Sequence, residues 1–70
     1  MTREVLNKIP ENVRNKIEDL RKDYHNDSLN RDAVRKESYG YGCGLRDAGL
    51  ITERERQVLF IYTTIKPQEK

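Results

Sequence analysis

Apolar positions fall in stripes along this chain, and their spacing predicts its elements. From Val13 to Tyr24 the apolar residues are Val13, Ile17, Leu20 and Tyr24, at offsets 0, 4, 7 and 11; every position between them is Asn, Arg, Lys, Glu or Asp. That is one narrow face of an amphipathic helix. Pro10 suits the first helical position, where its missing N–H costs nothing. Asn26-Asp27-Ser28 is turn chemistry, because these side chains compete for backbone groups. The pattern predicts a helix over residues 10–26. Glu18 and Lys22 form an i,i+4 pair in the favourable order.

A second stripe runs through Val34, Ser38, Tyr41, Leu45 and Ala48, at offsets 0, 4, 7, 11 and 14. Asn30 is placed to cap this helix, with Leu29 and Ala33 adding apolar contact near its start. Gly49 suits the position just past its end, where a left-handed backbone costs glycine little. The run Tyr39-Gly40-Tyr41-Gly42-Cys43-Gly44 puts three glycines inside the helix. Together they cost about 3 kcal/mol relative to alanine. The apolar offsets stay in phase across the run, so the helix is expected to continue, with the glycines serving close packing. On that reading Gly40-x-x-x-Gly44 is a flat face for another helix, from this chain, a second copy or a partner. The competing reading is a loop that cradles phosphate or stacks a base.

The last element opens on a capping box, Thr52-x-x-Glu55, in which each residue satisfies the other's end of the turn. Val58 to Tyr62 is continuously apolar, and Val58, Phe60, Tyr62 and Thr64 would also alternate as a strand. The capping box favours a helix from about Glu53 to Thr64. Near the start, Val5, Leu6 and Ile9 suit a short helical turn that Pro10 ends. Pro67 ends the order, leaving residues 67–70 as a disordered tail.

These elements predict an all-α fold. It is a small three-helix bundle, a helical hairpin plus a C-terminal helix, with a short N-terminal helical turn, in a single domain over residues 1–66. The short linker makes the hairpin antiparallel. Leu50, Val58, Leu59, Ile61 and Tyr62 should close its core. The last helix is apolar on more than one side, and a small domain with apolar surplus often pairs with a second copy. A homodimer is therefore expected.

Composition narrows the function. The chain has 70 residues, with 14 Lys and Arg against 12 Asp and Glu, a net charge of +2. A dedicated nucleic-acid binder usually carries a larger basic excess on one face. One Cys and one His cannot assemble a zinc site, and one Cys forms no internal disulfide. No metal or cofactor is expected. The longest apolar run is far below the roughly 20 residues of a membrane span. With no apolar signal region or lipidation motif in view, the expected compartment is the cytoplasm.

Candidate chemistry is sparse. Cys43 with His25 as base would make a nucleophilic pair, but no orienting third residue is evident. A lone Cys is more often a small buried hydrophobe. His25 suits the end of its helix, where a cation is favoured. Residues Arg46–Thr52 join two helices and invite a helix-turn-helix reading. With Gly49 in the turn, however, Leu45 stands where that motif wants a small residue, and Glu55 where it wants an apolar one. The following helix is also too apolar to lie in a groove. Arg31, Arg35 and Lys36 cluster at the start of the second long helix, diluted by Asp32 and Glu37.

The stretch from Gly44 to Tyr62, GLRDAGLITERERQVLFIY, resembles the C-terminal part of short uncharacterised proteins encoded in phages and conjugative elements of Firmicutes. It spans about a quarter of the chain and brings no catalytic motif. The resemblance implies a mobile-element accessory protein, a class that includes regulators and inhibitors of host defence such as anti-CRISPR proteins. The leading expectation is a non-enzymatic protein-binding module. Its contact residues would be Tyr39, Tyr41, Arg35 and Arg46, with Arg54 and Arg56 in support, because Tyr and Arg are the usual interface anchors. The alternative is a nucleic-acid-binding transcriptional regulator using the Arg46–Thr52 turn and the helix after it.

Overall fold

The computed structural model describes residues 2–26 and 28–65. Its elements are α1 (Thr2–Lys8), α2 (Glu11–Asn26), a 3-10 turn (Ser28–Asn30), α3 (Arg31–Asp47) and α4 (Glu53–Thr64). Among the described residues every regular element is helical. The expected tail at 67–70 lies outside them. None of these helices is long and apolar enough to cross a membrane.

α2 forms as its periodicity requires. Val13, Ile17 and Leu20 are buried, and Tyr24 is half-buried. The chain then doubles back. Near the turn, Arg31 donates from Nε to the Tyr24 carbonyl at 3.1 Å and lies 5.4 Å from its ring centroid. Further from the turn, Lys16 pairs with Glu37 at 3.0 Å. The two pairs step away from the turn in opposite chain directions, so α2 and α3 run antiparallel.

α3 continues unbroken through the glycine run and buries Val34, Ser38, Gly42 and Leu45. The buried Ser38 hydroxyl donates to the Val34 carbonyl at 2.9 Å, which satisfies it. The helix ends in a Schellman motif. Gly49 has φ +82°, its N–H reaches the Arg46 carbonyl, and the Leu50 N–H reaches the Leu45 carbonyl, each at 3.0 Å. This ending corrects the expected stripe. Ala48 is the C-cap and Leu50 lies in the turn beyond it, so both are exposed rather than part of the core. The packing glycine is Gly42; nothing lies within 4 Å of where a Cβ would stand on Gly40 or Gly44. At the other end Asn30 holds the N-cap position without a capping bond from its side chain. Leu29 is 95% exposed and Ala33 is also exposed, so neither adds the expected cover.

α4 starts at the expected capping box. The Thr52 N–H donates to Glu55 Oε1 at 2.8 Å, and the Glu55 N–H to Thr52 Oγ1 at 3.1 Å. Ile51, Leu59 and Thr63 are buried, whereas Ile61 is exposed and does not close the core. Tyr62 donates its hydroxyl to Glu18 at 2.7 Å, and the Arg21 guanidinium lies over its ring. These contacts fasten α4 to α2.

The N-terminal piece is more than a turn. α1 carries Val5, which at 2% exposure is the most deeply buried hydrophobic side chain among the described residues, and Ile9 follows it into the core. Lys8 reaches across to both carboxylate oxygens of Glu55 at 2.7 Å. Among the described residues there are therefore four α-helices, and α1 packs on α4.

Candidate functional site

The approach of α4 to α3 is set at Gly42. A Cβ there would stand 3.1 Å from Arg56 Cγ, so its absence lets the Arg56 stem lie against α3. Arg56 is consequently only 8% exposed. Its charge is matched by Glu53, one turn earlier, which accepts from Arg56 Nε at 2.9 Å and from Nη2 at 2.7 Å. Such a bidentate pair is the stronger form of ion pair. Glu53 also accepts from Arg46, and from Gln57 at 3.1 Å. The donors, Arg56 first, hold its carboxyl well below the usual carboxylate range. The same bond raises the pKa of Arg56.

Above this network stands Tyr39. The Arg56 guanidinium lies 4.9 Å from its ring centroid. The ring meets Phe60 edge to face, at 5.8 Å between centroids and 87° between planes. That is a favoured geometry for aromatic pairs. Tyr39 nevertheless remains 51% exposed. It shares an open groove of about 470 Å³ with Phe60, Arg35 and Lys36. Both cations precede Tyr39 by one helical turn. Arg35 approaches Asp32 at 3.6 Å, an exposed pair of little energetic weight. Lys36 forms no ion pair among the described residues.

The structure sorts the sequence candidates. Tyr39 and Arg35 line one groove. Tyr41 is half-buried and packs on the core. Arg46 is half-buried and bound to Glu53 and Asp47. Arg54 is exposed on the first turn of α4, whereas Arg56 is buried under Tyr39. Lys36, a member of the basic cluster seen in the sequence, and Phe60 complete the groove, and neither is among the expected contact residues. Phe60 belongs to the run Val58–Tyr62, whose excess over a single apolar face was the available signal.

Cys43 and His25 are not brought into one cavity. His25 lines a cleft of about 220 Å³ with Glu18, Arg21, Lys22 and Asn26, all on α2. Its Nε2 is buried and has no hydrogen-bond partner among the described residues. Cys43 is half-buried on α3. Among the described residues no cluster of His, Cys, Asp and Glu is arranged to hold a metal ion.

Comparison with protein-family models, with curated proteins and with solved structures finds no match.

Proposed function

We propose that the chain is a small non-enzymatic protein-binding module. In this reading it is a mobile-element or phage accessory protein that acts by occupying a partner protein's surface, with inhibition of a host defence system as one form of that action. The observation that carries the reading is the contact between exposed Tyr39 on α3 and half-buried Phe60 on α4, with Arg35 and Lys36 at its rim. Aromatic and Arg side chains set in a groove are the usual energetic anchors of protein interfaces. Here the anchor is held in place by Arg56 and Glu53 beneath it. A held side chain loses less freedom on binding, which favours affinity.

Nucleic-acid binding is less well supported. Arg46 and Arg56 spend their hydrogen bonds on Glu53, so the turn into α4 offers Arg54 with few free companions. Affinity for a phosphate backbone grows with the number of cations that release counterions.

The test is capture from a nuclease-treated lysate, followed by affinity measurements on the purified partner. The Lys36→Glu and Tyr39→Ala variants are expected to bind at least about tenfold more weakly, a change of about 1.4 kcal/mol. Asn15→Ala, on the exposed side of α2, should bind as the parent does. Unchanged affinity in folded Lys36→Glu and Tyr39→Ala would refute the reading. A second copy of this chain as the sole partner, seen by sedimentation, would make the face a homodimer interface.

A further inference from the structure

Resting on that protein-binding reading, we infer that the partner element seated in the α3–α4 groove is an acidic amphipathic helix. The first argument is charge. Two carboxylates close to the groove are already committed. Glu37 pairs with Lys16 on α2, and Glu53 accepts from Arg46, Arg56 and Gln57. Neither is left to offset the rim. Arg35 faces only the exposed Asp32 at 3.6 Å, and Lys36 has no carboxylate partner among the described residues. The groove therefore presents a positive rim above an aromatic floor. An occupant with carboxylates beside apolar side chains matches both, whereas a basic segment meets like charge on burial.

The second argument is the backbone. The groove is walled by two helices, whose interior N–H and C=O groups bond within themselves. Among the described residues there is no strand, hence no sheet edge to which an extended segment adds. A buried segment must have its backbone groups paired. A helix meets that condition internally. Its register follows from the spacing on α3: Arg35 and Lys36 stand one turn from Tyr39. The occupant then places Asp or Glu three or four positions from the apolar residue that packs on the Tyr39–Phe60 pair.

The experiment selects displayed random peptides of about 16 residues, some four helical turns, on the immobilised full chain. Enriched sequences are expected to carry acidic residues at three- or four-residue spacing from an aromatic or aliphatic anchor, and to gain helical circular dichroism when bound. A proline placed at the centre of such a peptide should weaken binding at least about tenfold, because it removes a helical bond and clashes with the preceding turn. Lys36→Glu should lose the acidic peptides and gain their Lys-substituted versions. Enrichment of basic, proline-rich or non-helical sequences, or no enrichment, overturns the inference; so does tighter binding of single-stranded DNA than of the best peptide. If the inference falls while Tyr39→Ala still releases the captured partner protein, the protein-binding reading stands with a different occupant. If Tyr39→Ala retains that partner, the reading falls as well.

Discussion

Arg56 lies across Gly42, and a Cβ on that glycine would stand 3.1 Å from Arg56 Cγ. Arg56 has little room to yield, because it is bound to Glu53 at 2.9 and 2.7 Å and lies under Tyr39. Gly40, two residues earlier, has open space where its Cβ would go. The two alanine substitutions should therefore diverge. Gly40→Ala is expected to raise stability by about 1 kcal/mol through helix propensity. Gly42→Ala should lose that gain and fall below the parent. Gly49→Ala should cost about 1 kcal/mol or more, since φ +82° strains an alanine backbone and not a glycine one. Urea unfolding of the three variants orders them; equal gains at Gly40 and Gly42 would mean that Arg56 does not fix the helix approach.

The Glu53 network sets an acid limb. Bonds from Arg56, then Arg46 and Gln57, depress the Glu53 carboxyl below its ordinary value of 4.5. A depressed carboxyl stabilises the fold while ionised, so its contribution is full above pH 4.5 and is lost as pH falls toward the folded-state value. Glu55 is shifted the same way, by Lys8 first and then the Thr52 N–H. Stability should decline on acidification below about pH 4.5, and Glu53→Gln should flatten that decline. Urea midpoints measured across the acid range check it. An acid limb as steep in Glu53→Gln as in the parent would show that the network does not couple to folding.

α1 should behave as part of the core. Val5→Ala is expected to cost about 2 kcal/mol, because its side chain is fully buried in the core. Thr52→Ala should cost about 1 kcal/mol by removing the cap of α4. Calorimetric unfolding of both variants tests this. A negligible effect of Val5→Ala would return the N-terminal helix to the status of a loose turn.

Local chemistry made much of this fold legible. Pro10, the stripe Val13/Ile17/Leu20 and the Thr52–Glu55 box each act within one or two turns, and the elements follow them closely. Gly49 likewise declared the end of α3. What local pattern did not carry was set by approach between elements. Ala48 stays in phase with its stripe, yet the Schellman turn takes the chain out of the helix there. Arg56 reads as a supporting contact residue, but Gly42 lets its stem lie against α3 and Glu53 matches its charge, so it is buried. Of the candidate contact residues, Tyr39 and Arg35 meet in one groove. Tyr41 faces the core two positions from Tyr39, because successive helical positions turn to different sides.

Salt separates the two binding readings. A protein partner held by Tyr39 and Phe60 with two rim cations should lose little affinity between low and physiological salt. A nucleic-acid partner that neutralises 6–10 phosphates would lose about 10³–10⁵ between 50 and 200 mM. Affinity of the captured partner measured across that range distinguishes them, and a steep slope would favour nucleic acid.

The most direct measurement is a titration of the isotope-labelled chain with its captured partner, followed residue by residue in amide NMR spectra. The perturbed amides should gather at Arg35, Lys36, Tyr39 and Phe60, the residues that line the α3–α4 groove. Perturbations confined to α1 and the exposed side of α2, with this groove unchanged, would contradict the account.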